Sequence, residues 1–283
     1  MKKSTPLVIS SRILRNLAAS ALFLAVSQLN AAVIASDDFN YTSGSALNGA
    51  SGGTGSWSAS WTAASFVTTE DNTAQFGNGS SNTPDGNEMA YRTFDAYSGD
   101  VLYVSYELTL SPTTLSGDFF TLWLDSAASV GGTDNHGVSR LNTGVTNGSS
   151  FARISSSAAR TSTGPSLSAN VSYQFVVKYS KSVSGEANKF DTIEWWLNPT
   201  GSDYGDPIGT ISGTDLSTLL TSISAVGFRG AGNDNGDQFW VDGLTLATEW
   251  NDVVIPESAT TTYLALMLVV LVGLNRFRRS RRG

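Results

Sequence analysis

From about Val33 to Asp252 one pattern recurs: short stretches rich in β-branched and aromatic residues, each closed off by turn formers. The clearest are "VLYVSYELTL" (101–110), "DFFTLWLD" (118–125), "YQFVVKYS" (173–180), "FDTIEWWLN" (190–198), "ISAVGFRG" (223–230) and "DQFWVDGLTLA" (237–247). Successive side chains on a strand point to opposite faces. In the first stretch, Leu102, Val104, Tyr106, Leu108 and Leu110 therefore share a core side, and Ser105, Glu107 and Thr109 a wetter one. The connecting segments "PDGN", "GGTDNHG", "NTGVTNGSS" and "GNDNGD" carry the Gly, Asn and Asp that tight turns require. No stretch offers three turns of amphipathic helix, and no fixed-period repeat is present, which excludes a solenoid or a propeller. The pattern predicts one all-β domain over residues 33–252, a two-sheet antiparallel jelly-roll sandwich. The low-complexity stretch 42–60 belongs to it, because its spaced hydrophobic and Trp residues are unlike a flexible linker, with Trp57 and Trp61 expected to plug the sandwich end.

The chain has no cysteine. That removes thiol nucleophiles, thiolate zinc sites and iron–sulfur clusters, and leaves the fold to rest on its apolar core alone. Residues 1–32 read as a secretory signal peptide: Lys2, Lys3, Arg12 and Arg15, then the apolar run 17–26, then small residues with cleavage expected near Ala31, Ala32 or Ala35. Four of the 17 basic residues lie in that leader and five in the last eight positions, so eight basic residues stand against 24 acids in between, a formal −16. Such a field opposes nucleic acid and anionic lipid and favours cations.

Residues 253–283 have three parts: Pro256, Glu257 and Ser258; a twelve-residue apolar run from Tyr263 to Leu274; and a cluster of Arg276, Arg278, Arg279, Arg281 and Arg282. A helix of twelve residues is ~18 Å long, against ~30 Å of bilayer hydrocarbon. The arginines are a translocation stop that stays cytoplasmic, so the segment reads as a transient membrane hold. This ending resembles the PEP-CTERM sorting signal, with Ser258 where that signal usually has a third-position Pro. The resemblance implies sorting by an exosortase-type membrane enzyme after export by the secretion machinery, then a place at the cell surface or in an exopolysaccharide-rich matrix. The body resembles concanavalin A-like or laminin-G-like jelly rolls through "DDFNYTSGSALNGASGGTGSWSASW", "DTIEWWLNPTGSDYGDP" and "FWVDGLTLATEW". Such jelly rolls include glycoside hydrolases; the expectation for this chain is a non-catalytic binding or structural role, with extracellular polysaccharide as a candidate partner. A hydrolase or lyase on the same fold and a permanently anchored structural protein are the alternatives.

Glycoside hydrolysis needs two carboxyls about 5–9.5 Å apart. In "DTIEWW", Asp191 and Glu194 are three residues apart on one strand and face opposite ways. The single histidine, His136, stands in a turn-rich loop without a nucleophile elbow, so it reads as a solvated side chain. Asn233, Asn235 and Asp237 put oxygens at alternate positions, which suits Ca²⁺ as the one candidate cofactor, although Asn-Gly and Gly-Asp are equally turn formers. For carbohydrate, Ile193, Trp195 and Leu197 are expected in the core, leaving Trp196, between Glu194 and Asn198, as an exposed sugar platform.

Overall fold

The computed structural model describes residues 33–77, 88–112, 117–127, 141–154, 161–182, 188–200, 205–213, 219–233 and 236–254. The leader, Pro256, Glu257, Ser258 and the five tail arginines lie outside the described residues, as do His136 and Asn235. Among the described residues no helix is long and apolar enough to cross a membrane.

The strands in chain order are β1 (Val33–Asp37), β2 (Thr54–Gly55), β3 (Thr62–Ala63), β4 (Thr68–Glu70), β5 (Thr73–Phe76), β6 (Glu88–Tyr97), β7 (Val101–Leu110) and β8 (Phe119–Asp125). They continue as β9 (Leu141–Thr146), β10 (Ser149–Ile154), β11 (Thr161–Ser166), β12 (Tyr173–Lys181), β13 (Phe190–Leu197), β14 (Gly209–Ser212), β15 (Ile223–Ala231) and β16 (Phe239–Ala247). They form an all-β, two-sheet antiparallel sandwich, as the recurring alternation predicts. A nine-stranded sheet runs β14-β13-β12-β7-β16-β1-β2, with β5 joining β16 beyond the end of β1 and carrying β4. A seven-stranded sheet runs β11-β10-β9-β8-β15-β6-β3.

Alternation sets the inner faces. Leu102, Val104, Tyr106, Leu108 and Leu110 of β7 are all fully buried, as are Phe175, Val177 and Tyr179 of β12 and Phe239, Val241, Leu244 and Leu246 of β16. Phe120, Leu122 and Leu124 of β8 with Val226 and Phe228 of β15 answer from the other sheet. Phe228 is the hub, its ring centroid within 5.8 to 6.4 Å of Phe39, Trp61, Phe76, Tyr106 and Phe120. Aromatic pairs at such distances add ~0.5–1.5 kcal/mol each beyond area burial. The two buried phenols keep their hydrogen bonds: Tyr106 donates to the Thr143 carbonyl, and Tyr179 shares one with the Thr143 hydroxyl.

One buried ion pair joins the sheets. Arg92 of β6 meets Asp37 of β1 at 2.8 Å, and the same carboxylate oxygen accepts from Tyr41 at 2.6 Å and Trp61 Nε1 at 2.8 Å. Arg92 also donates to the carbonyls of Ala59 and Gly52 and lies over the Trp57 ring. The low-complexity opening is thereby fixed, and Trp61 is fully buried in the core. Gly55 (φ +94°) lets this loop run against β1, because a Cβ there would come 2.3 Å from the Ile34 carbonyl oxygen. Desolvation offsets much of the attraction in such a buried pair, whereas loss of one partner would leave the other charge buried.

The nine-stranded sheet is not uniformly wet on its outer side. After β16 a 3-10 turn, Trp250–Asp252, carries Trp250, Val253 and Val254 onto that face, each 2% exposed. They pack with Tyr103, Val176 and Trp196. Trp250 meets Trp196 at 5.0 Å and Tyr103 at 6.1 Å, both edge to face, and Gln174 Nε2 bonds the Val253 carbonyl. The chain is therefore packed against this face through Val254.

Candidate functional site

Along β16, Phe239 and Val241 are fully buried, so Trp240 and Asp242 point outward, and both are partly exposed. Trp240 stands opposite Gln75 of β5 on one side and Thr109 of β7 on the other. Two positions along the same face, Asp242 stands opposite Glu107. The result is an accessible indole on a face otherwise made of hydroxyl, amide and carboxylate groups.

Beside it is a pocket of about 360 Å³ lined by Ser43, Gly44, Thr68, Thr69, Glu70, Gln75 and Gln238. Gln75 is itself only 6% exposed, and its Oε1 accepts from the Thr68 hydroxyl at 3.2 Å. Thr69 is tied to the carbonyls of Thr42 and Ser45, which holds the loop wall against β4. Hairpin β4–β5, the loop after β1 and the start of β16 thus build the pocket from three separate stretches of sequence.

The carboxylates beside Trp240 sit in unequal settings. Glu107 is exposed and accepts from the Ser172 hydroxyl at 3.0 Å. The ladder between β16 and β7 shifts register just after Asp242, at Gly243 (φ +58°), whose N–H bonds the Asp242 carboxylate. Burial pushes the Asp242 carboxyl above its ordinary range; the Gly243 N–H partly offsets this, and the negative charges of Glu107, Asp38 and Asp37 push it further.

The residues singled out from sequence fall elsewhere. Ile193 and Trp195 are fully buried and Leu197 packs against the core, so the parity of β13 is as expected. Trp196 does face outward, but at 5% exposure it lies under Trp250 and the segment to Val254, which corrects the expectation of an exposed platform. Its neighbours are also engaged: Glu194 pairs with Lys178 at 2.6 Å, and Asn198 Oδ1 accepts the Gln174 N–H at 2.7 Å. Asp191 is buried and bonds the Ser182 backbone and hydroxyl, while Glu194 is on the other side of the strand. Asn233 and Asp237 are both buried, and among the described residues no group of three or more His, Asp or Glu is placed to hold a metal ion. Trp240 was not singled out from sequence, although the signal was there: it shares parity with Gln238 and Asp242, the polar positions of its strand.

No protein-family model and no curated protein matches the sequence. Solved structures do match in fold. One is of botulinum neurotoxin type C, described as dependent on interaction with two ganglioside molecules to enter cells; it is 12% identical at a TM-score of 0.51, over 80% of this chain and 50% of the other. Another is the ligand binding domain of botulinum neurotoxin serotype D in complex with N-acetylneuraminic acid, 13% identical at a TM-score of 0.50, over 81% of this chain and 50% of the other. The chain thus spans about half the length of these two structures, and what it shares with them is the sandwich fold.

Proposed function

We propose that this chain is an exported, non-catalytic carbohydrate-binding sandwich, sorted through its C-terminal segment to the cell surface or an extracellular polysaccharide matrix. The observation that carries the binding half is Trp240, an accessible indole on a polar sheet face, opposite Gln75 and beside the hydroxyl- and amide-lined pocket. A flat ring meets the C–H face of a sugar, and the surrounding amides, hydroxyls and carboxylates meet its hydroxyl groups. That fold neighbours are seen with N-acetylneuraminic acid, or depend on gangliosides, supports sugar as the ligand class.

The sorting half rests on the sequence. The leader hands the chain to the secretion machinery, the five arginines from Arg276 to Arg282 halt it, and an exosortase-like enzyme processes it near Pro256, Glu257 and Ser258. Membrane contact through residues 263–274 is then transient. Two experiments test the halves separately. On a glycan array the full-length protein should give signals that Trp240→Ala loses; a signal indifferent to that change would refute the site. The intact mass of the mature protein should lack residues 263–283, and their retention would contradict processing.

A second reading has one observation in its favour. Glu107 and Asp242 are directly opposed on neighbouring strands, beside an aromatic ring, with the Asp242 carboxyl raised. A hydrolase would use one such carboxyl to protonate the glycosidic oxygen and the other, ionised, as nucleophile or base. Release of reducing ends from a bound polysaccharide, abolished in Glu107→Gln, would establish it; binding without release excludes it.

A further inference from the structure

The charge around Trp240 says what kind of sugar suits it. This step rests on the carbohydrate-binding reading and refines it. Outward from β16 and β7, Asp242 and Glu107 face each other across one ladder position, two residues along from Trp240, and Asp38, exposed just after β1, is close enough to act on Asp242 electrostatically. Glu70 lines the adjoining pocket. Cationic side chains on the same sheet are engaged elsewhere: Lys178 bonds Glu194, and Lys181 bonds the Ser98 carbonyl while lying over Phe190.

The site is more than a set of acids. Gln75, nine-tenths buried and part of the pocket wall, has its Oε1 occupied by Thr68, and its Nε2 has no protein partner among the described residues. That amide nitrogen is a donor on the pocket wall, able to bond a ligand hydroxyl or water. Trp240, opposite that amide, offers its ring face, to which a cation is drawn electrostatically. Indole and carboxylates can accept an ammonium group, and the amide N–H can donate to a hydroxyl of the ring that carries it.

We propose that the Trp240 face binds a polysaccharide bearing protonated amino sugars, with the ammonium group between the Trp240 ring and the Glu107–Asp242 pair and the sugar hydroxyls toward Gln75 and Gln238. The formal −15 of residues 33–252 steers such a polycation toward the domain, where it would repel an acidic glycan. Asp242 gains most, because an ammonium group offsets the repulsion from Glu107 and Asp38 that its ionised form meets.

The test is calorimetric titration of the full-length protein at mildly acidic pH with a glucosamine hexamer and with its N-acetylated counterpart of the same linkage. The charged hexamer should bind at least ~10-fold more tightly, which is ~1.4 kcal/mol. That preference should shrink with added salt and as pH rises past the sugar amine's pKa. In Glu107→Gln/Asp242→Asn, a double change that keeps side-chain shape, the ratio of the two affinities should fall to about one. Equal affinity for both hexamers, lost in Trp240→Ala, would overturn the amino-sugar proposal and leave carbohydrate binding intact. Absence of binding by either hexamer, with neutral and acidic glycans also unbound on the array, would overturn both.

Discussion

The outer face of the nine-stranded sheet has two halves with the same alternation and opposite fates. On the β12–β13 side, Trp196 faces outward and is sealed by Trp250, Val253 and Val254 at 5% exposure. On the β16–β5 side, Trp240 faces outward in the same way and is left accessible, with Gln75, Thr109, Glu107 and Asp242 around it. Strand parity decides which way a ring points, and a distant segment decides whether it meets water. The first half therefore stabilises the fold and the second is available to a ligand.

The largest effect that would test this contrast comes from removing the seal. Trp250→Ala should cost about 3–5 kcal/mol, as large-to-small changes at buried aromatics do. For a domain of this size each kcal/mol moves Tm by about 2–4 °C, so thermal denaturation should show a fall of roughly ten degrees. Trp240→Ala should leave stability within about 1 kcal/mol yet lower glycan affinity at least ~10-fold. Were the two variants to exchange phenotypes, the division of the face would be broken. Lys178→Met should cost no more than about 1 kcal/mol in a denaturant titration, since its pair with Glu194 is a quarter exposed on each side and screened by solvent.

The smallest effect is a pH dependence on the open half. The folded-state pKa of Asp242 is raised, so the folded protein holds that proton more tightly than the unfolded chain. The ionised carboxylate is then a cost at neutral pH, one that disappears as pH falls through the raised value to the ordinary Asp range. Asp242→Asn should raise Tm at neutral pH, with the gain vanishing in acid. A gain that grew on acidification would have the wrong sign for this account.

Much of the sandwich was legible because burial writes itself at period two. The β7 alternation from Leu102 to Leu110, the inward parity of Ile193 and Trp195, and the core positions of β16 all follow from it. The site was less legible for a physical reason. Trp196 looks exposed when only the local strand is read, and its cover, Trp250 to Val254, arrives from more than fifty residues downstream. The pocket likewise joins Ser43, Thr68, Gln75 and Gln238, which no local spacing relates. Trp240 was within reach, since its parity with Gln238 and Asp242 marks the polar face, but choosing it over Trp196 required knowing what covers each.

The claim that one half is open and the other sealed can be read at the indole N–H groups of the full-length protein, followed by NMR during titration with a bound oligosaccharide. The Trp240 resonance should shift with ligand, while those of Trp196 and Trp250, packed edge to face at 5.0 Å, stay in place. Movement of Trp196 and Trp250 with a stationary Trp240 would mean that the ligand takes the other half of the sheet.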